Sequence, residues 1–250
     1  MKTIRQQQIL FDLDDTLIHC NKYFELILSQ FADIMVDWFQ SYRIDIQEIR
    51  SKQIEIDVEG VSKLGFASLH FPQSLIDTYR YFCLQCGRDH TAMEKEILMK
   101  LGMSVYELPI EPYPGMVETL DHLQEQGHEL SLYTGGESVI QRRKIEQMKL
   151  SEYFQDRIYI RQHKNVEALE GILQSRYFER KHTWMIGNSL RTDIMPAISA
   201  GINTVYIKLP DEWTYNIVEL KKDTDTTMYT VSSLEDVPRI ITESMAMAQR

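Results

Sequence analysis

Residues 9–17 read Ile9-Leu10-Phe11-Asp12-Leu13-Asp14-Asp15-Thr16-Leu17. The run at 9–13 is short and apolar, broken only by Asp12, and polar residues bound it on both sides. Such a run reads as a strand buried on both faces of a parallel sheet. Its carboxyl end carries Asp12, Asp14, Asp15 and Thr16. In an open parallel sheet, ligands bind beyond the carboxyl ends of the strands, so chemistry is expected at this end. Asp15 itself is expected to be a solvated loop residue.

Outward from that stretch, further strands are expected at 130–133 (Leu-Ser-Leu-Tyr), Ile158–Ile160, Trp184–Ile186 and Thr204–Ile207. Helical spacing fills the gaps: Val117, Leu120 and Leu123 on one face, then Ile140, Ile145 and Met148, then Val166, Leu169, Ile172 and Leu173. A fourth helix carries Ile194, Ala197 and Ile198, with Gly201 as its stop. Tyr229–Val231 and Pro238–Met245 read as a last strand and helix. Strands alternating with helices mean an α/β core with a parallel sheet covered on both faces.

Residues 18–111 break the alternation. Phe24, Ile27, Phe31, Ile34, Met35 and Trp38 form one helical stripe, and Leu75 to Cys86 another. The reading is an α-helical domain at 18–111 inserted into a core made of 1–17 and 112–250. The chain returns to the core at Pro112-Tyr113-Pro114-Gly115. Within the insertion, Gly60-Val61-Ser62-Lys63-Leu64-Gly65 is the most loop-like stretch and the expected specificity loop. Arg43, Arg50, Lys52, Lys63 and Arg80 could meet a second anionic group there. Cys83 and Cys86 form a lone CxxC at helical spacing and read as buried helix cysteines rather than zinc ligands.

The composition excludes some functions. The 250 residues carry a formal net charge of -10, so the chain lacks the basic balance of a nucleic-acid binder. No apolar run approaches the roughly 20 residues that span a bilayer. Three cysteines and a polar start, Met1 to Gln8, suggest a cytoplasmic protein. The expected partner is a small phosphorylated metabolite, with neither nucleic acid nor membrane.

The polar residues after the strands form one inventory. Asp12, Asp14 and Thr16 follow the first, Thr134 and Gly135 the second, Lys164 the third, and Asn188, Ser189 and Asp193 the fourth. Carboxylates, a lysine, a hydroxyl and a Gly-Gly loop are what a metal ion and a phosphoryl group require.

In this order the motifs resemble the four signatures of the haloacid dehalogenase-like (HAD) superfamily. They are Asp12-Leu13-Asp14-Asp15-Thr16, then Thr134-Gly135, then Lys164, then Gly187-Asn188-Ser189 with Asp193. The resemblance implies a Rossmann-like core with an inserted helical cap, and a Mg²⁺-dependent phosphatase. It makes Asp12 the nucleophile that forms an aspartyl-phosphate. Asp14 becomes the acid and base, and also a metal ligand through its backbone carbonyl. Thr134 and Gly135 would bind phosphate, Lys164 would balance charge, and Asp12, Asp14, Asn188 and Asp193 would hold the metal. Lys144 is a rival for the role of Lys164. Three carboxylates, one lysine and Mg²⁺ make a site of net charge about zero. Asn188 departs from the family pattern, which has Asp at this position. A neutral amide ligand should lower metal affinity unless Asp193 binds directly. Two alternatives stay open: a phosphoglucomutase-like phosphotransferase, or a catalytically weak binding module because of Asn188.

Overall fold

The computed structural model describes residues 6–219 and 226–247. The chain divides into two compact units, one built from the chain up to His19 and from Ile110 onward, the other from Cys20–Pro109.

The first unit is a parallel sheet with helices on both faces. Strand β1 is Gln8–Phe11. The inserted unit contributes α1 (Asn21–Trp38), α2 (Ile46–Leu64), α3 (His70–Cys86) and α4 (Ala92–Ser104). The core resumes with α5 (Met116–Glu125), β2 (Glu129–Gly135), α6 (Ser138–Gln147), α7 (Ser151–Phe154) and β3 (Ile158–Arg161). It continues with α8 (Val166–Ser175), β4 (Thr183–Gly187), α9 (Met195–Ser199), β5 (Asn203–Ile207), β6 (Met228–Val231) and α10 (Val237–Met247). The strand order is β3-β2-β1-β4-β5-β6, every neighbouring pair parallel. β1 lies between β2 and β4, where the chain reverses its direction of winding, the place at which such sheets open a ligand crevice.

Successive strand residues alternate between two cores, as the period of two requires. Ile9, Phe11, Leu130, Leu132, Trp184, Ile186, Val205 and Ile207 pack with Leu120 and Leu123 of α5, Ile145 of α6 and Ile241 of α10. Leu10, Tyr133 and Met185 face the other way, onto Leu169, Ile172 and Leu173 of α8 and Ala197 of α9. Val117, expected on the inner face of α5, is exposed, and Met116 takes the inward place. Gly201, with φ of +70°, ends α9 while Ile202 N–H donates back to the Ala197 carbonyl at 3.1 Å. Among the described residues no helix is long and apolar enough to cross a membrane.

The inserted unit is helical with its own core, built from Ile27, Phe31 and Met35 of α1, Ile49 of α2, Leu75, Tyr79 and Phe82 of α3, and Leu98 of α4. Asp45 caps α2 by accepting from Gln47 N–H at 3.0 Å, and Thr91 caps α4 by accepting from Glu94 N–H at 3.1 Å. Cys83 is buried, Cys86 is partly so, and neither is bonded to another cysteine.

The expected loop at 60–65 is not a loop: residues 60–64 are the last turns of α2, and only Gly65 stands outside it as the cap. Gly60 reads as a breaker in the sequence, but tertiary packing decides otherwise. A Cβ on Gly60 would stand 1.9 Å from the His70 ring, so the missing side chain makes room for α3. Val61 is buried, and Lys63 pairs with Glu59 one turn back at 2.5 Å. Arg50, Lys52 and Arg80 are likewise paired, with Glu25, Glu55 and Asp77.

Candidate active site

The turn after β1 builds the centre of the site. Asp12 N–H still donates to the Ile186 carbonyl of β4 at 2.9 Å, which anchors Asp12 at the strand end. The chain then folds back on the Leu13 carbonyl, which accepts from Leu17 N–H at 2.9 Å and Ile18 N–H at 3.1 Å. Asp15 supplies the left-handed backbone for this turn, with φ of 57°, a conformation that Asp and Asn tolerate better than most residues. Asp15 is buried at 5% exposure, not solvated as expected, and its N–H donates to the Ile18 carbonyl at 2.7 Å within the turn.

Asp12 is the hub. Its Oδ1 accepts from Lys164 Nζ at 2.6 Å, and its Oδ2 lies 3.2 Å from the Thr16 hydroxyl. Burial pushes the Asp12 carboxyl from its ordinary 3.8 up to about 7, with Lys164 acting against the rise and Asp193 adding to it. Lys164 sits just ahead of α8, whose cap is Asn165, and it bridges Asp12 Oδ1 and Asp193 Oδ1. Burial opposes its charge, but the two carboxylates outweigh burial and hold the ammonium above its ordinary value. Its Nζ also lies 4.9 Å from the centre of the Tyr133 ring.

Asp193 is positioned by a π-helical turn over Leu190–Ile194, where the Ser189 carbonyl accepts from Ile194 N–H at 3.1 Å. Its second oxygen accepts from Ser189 N–H at 3.0 Å. Gly187 is needed here, since a Cβ would stand 2.3 Å from Asp193 Oδ2. Both Asp193 oxygens are therefore engaged within the protein, one by Lys164 and one by the backbone. Asn188, not Asp193, reaches toward the second oxygen of Asp12: its Oδ1 lies 3.4 Å from the Thr16 hydroxyl.

Asp14 turns toward α6. Its Oδ1 accepts from Lys144 Nζ at 2.7 Å and its Oδ2 from Gln141 Nε2 at 2.8 Å. The two lysines thus have separate partners, Lys164 on the Asp12 side and Lys144 on the Asp14 side. Gln141 Nε2 also lies 2.6 Å from Thr134 Oγ1 and 2.8 Å from the Gly135 carbonyl. The motifs alone single out neither Gln141 nor its link to Lys144. The available signal is the i, i+3 spacing of two polar residues on α6, with Gln141 one turn before the inward-facing Ile145.

The donor set suits a hard divalent cation. Among the described residues, no three His, Cys, Asp or Glu side chains converge. The reason is visible: Asp14 is turned to Lys144, and Asp193 to Lys164. What faces inward is Asp12 Oδ2 and Asn188 Oδ1, both within reach of the single Thr16 hydroxyl hydrogen. One of these two buried acceptors is left without that donor, and a cation satisfies both. The rise of the Asp12 carboxyl comes first from burial, which Lys164 does not fully offset.

Comparison with known proteins gives the family of the chain. Residues 9–207 match the family described as haloacid dehalogenase-like hydrolase. The chain is 24% identical over 237 residues to a glyceraldehyde 3-phosphate phosphatase of Methanocaldococcus jannaschii, covering 93% of this chain and 96% of that protein. It is also 24% identical over 220 residues to the pyrimidine 5'-nucleotidase PynA of Streptococcus pneumoniae, covering 79% and 82%. Among solved structures, a haloacid dehalogenase-like family hydrolase from Xanthomonas campestris matches with a TM-score of 0.77 at 22% identity over 98% of each chain. The HAD hydrolase YfnB of Bacillus subtilis, solved bound to magnesium, matches with a TM-score of 0.62 at 19% identity, over 95% of this chain and 100% of that one. The family match spans most of the chain and includes all four strand-end motifs, so this protein belongs to the haloacid dehalogenase-like hydrolase family.

Proposed function

We propose that the protein hydrolyses a small phosphate monoester through an aspartyl-phosphate on Asp12, with Mg²⁺ as cofactor. The observation that carries this reading is the buried Asp12 carboxylate, held by Lys164 at 2.6 Å with its other oxygen facing Thr16 and Asn188. A phosphate dianion repels a carboxylate, so the attacking oxygen must be fixed and the charge around it balanced. Lys164 does both for Asp12.

In the forward step an Asp12 oxygen bonds to phosphorus while the bond to the ester oxygen breaks. Asp14 supplies the proton that the leaving alkoxide takes. In the second step Asp14 removes a proton from water, the water oxygen bonds to phosphorus, and Asp12 leaves as a carboxylate with inorganic phosphate released. Thr134 and the backbone at Gly135 bind phosphoryl oxygens. A bound Mg²⁺ supplies positive charge against the phosphoryl oxygens. Asp12 and Asn188 would hold it by side-chain oxygens and Asp14 by its backbone carbonyl. Asp193 acts behind them through Lys164 and Ser189.

Relatives named for a triose phosphate, a pyrimidine nucleotide and pyrophosphate support a small phosphorylated substrate. The test is a panel of phosphorylated metabolites spanning those three classes, with released phosphate read in Mg²⁺ and in excess chelator. Mg²⁺-dependent release from at least one monoester is expected. Absence of release across the panel, from a folded protein, would count against the reading.

A further inference from the structure

Helix α6 gives two side chains to the site that none of the four motifs contains. Lys144 and Gln141 hold one oxygen each of Asp14, at 2.7 and 2.8 Å. Gln141 is buried at 1% exposure and Thr134 at 0%, and their polar atoms are 2.6 Å apart. Gly136, with φ of +137°, leaves the space that Gln141 occupies: a Cβ there would stand 3.0 Å from Gln141 Cγ.

We propose that Gln141 and Lys144 form a positioning clamp that sets the phosphoryl-binding hydroxyl of Thr134 and the proton-transferring carboxylate of Asp14 from one helix. The clamp rests on the phosphatase reading for the roles of Thr134 and Asp14. The amide nitrogen of Gln141 can only donate. When it donates to Thr134 Oγ1, the Thr134 hydrogen is directed away from Gln141, toward the Gly135 carbonyl at 3.5 Å, a long contact that a phosphoryl oxygen can replace. The same nitrogen carries a second hydrogen, which Asp14 Oδ2 and the Gly135 carbonyl, both at 2.8 Å, share. Lys144 takes the other oxygen, so the carboxylate plane is fixed at both ends. An acid held this way delivers its proton along one direction, toward the ester oxygen beside the phosphoryl group. Neither residue touches the reacting atoms; each acts through a neighbour.

The test uses Gln141→Leu, Lys144→Met and Lys144→Arg in the full chain, with two readouts. The first is kcat and KM on an alkyl phosphate and on an aryl phosphate. Lys144→Met should lower kcat on the alkyl phosphate about tenfold, with a smaller loss on the aryl phosphate, whose leaving group needs less protonation. KM should move less than kcat. Lys144→Arg should recover most of the loss, since a cation remains against Asp14. The second readout is calorimetric binding of inorganic phosphate in the presence of Mg²⁺, which needs no turnover. Gln141→Leu should weaken it about tenfold, the loss of one directed hydrogen bond.

Equal loss on both esters for Lys144→Met, or unchanged phosphate binding in a folded Gln141→Leu protein, would overturn the clamp. If Gln141→Leu does not fold, the Lys144 variants decide alone, because Lys144 is partly exposed and Lys144→Arg keeps its charge. If the parent hydrolyses nothing, the phosphatase reading fails separately. Phosphate binding then still supports the clamp if it depends on Gln141, and overturns it if it does not.

Discussion

Thr16 has one hydroxyl hydrogen and two oxygens near it, Asp12 Oδ2 at 3.2 Å and Asn188 Oδ1 at 3.4 Å. That geometry favours Asn188 as the side chain that would hold the proposed Mg²⁺, while Asp193 serves Lys164 and the Ser189 amide. Asn188→Ala should therefore raise the Mg²⁺ concentration for half-maximal activity by about tenfold. Asp193→Ala should instead destabilise the fold, by about 3–5 kcal/mol, because it leaves Lys164 short of a buried partner. A larger rise in Mg²⁺ requirement for Asp193→Ala than for Asn188→Ala would reverse the assignment. The second lysine also changes the charge count. With Lys144 included, the metal-loaded site carries about +1 rather than zero. Asn188→Asp would bring it to about zero, so tighter Mg²⁺ binding should come with weaker binding of a phosphate dianion. Asp12, Lys164 and Asn188 stand out in the sequence because each follows a strand, and Thr134 because it lies next to the last residue of β2. The partners of Asp14 were not, because which lysine reaches which carboxylate depends on side-chain directions across α6 and not on spacing.

Two glycines inside helices show how far an element can be read from its own residues. Gly171 lies in α8 with open space where a Cβ would be, and Gly102 lies in α4 with Pro72 Cα 2.5 Å from that point. Gly171→Ala should stabilise by about 1 kcal/mol through helix propensity and a less free unfolded chain. Gly102→Ala should destabilise by about 1–3 kcal/mol, because backbone at the α3–α4 crossing must move. Denaturant melts of the two variants against the parent check both signs. Helix α3 carries a pH effect as well. His70 Nε2 lies 2.9 Å from the Asp57 carbonyl and 3.3 Å from Asp57 Oδ1, and this partner raises the imidazole above its ordinary 6.5. The folded state then binds the proton more tightly than the unfolded chain. The stabilisation is full below 6.5 and is lost as pH rises above it through the raised value. The difference in melting temperature between parent and His70→Gln should accordingly be larger at about pH 6 than at about pH 9. A difference that grew with pH would contradict the pairing. Helix periodicity in α1 and α8 was readable because apolar residues set their buried faces. The end of α2 was not, since Gly60 looks like a breaker until the His70 ring fills its missing side chain.

At the scale of the whole molecule, the sheet order was not written in any one strand. Alternation of short apolar runs with helices gave a parallel α/β core, and the six expected strands are present within a residue or two at their ends. That β1 lies between β2 and β4 follows from the fold rather than from its own sequence, and it brings residues 12, 134 and 188 to one rim. The insertion between β1 and α5 was legible from its lack of strand patterning, whereas the substrate it would select was not. An acidic chain with net charge -10 can still hold an anion, because the site concentrates Lys144, Lys164 and backbone N–H groups locally. The central claim is that Asp12 makes a covalent bond to phosphorus. It is tested most directly by comparing Asp12→Asn with the parent on the best substrate of the metabolite panel, in saturating Mg²⁺ and with folding checked by thermal melt. Asp12→Asn should fold and lose turnover by about 10³-fold or more, because a neutral amide cannot serve as the attacking carboxylate. A folded Asp12→Asn protein that retained turnover within about tenfold of the parent would contradict the nucleophile and the mechanism built on it.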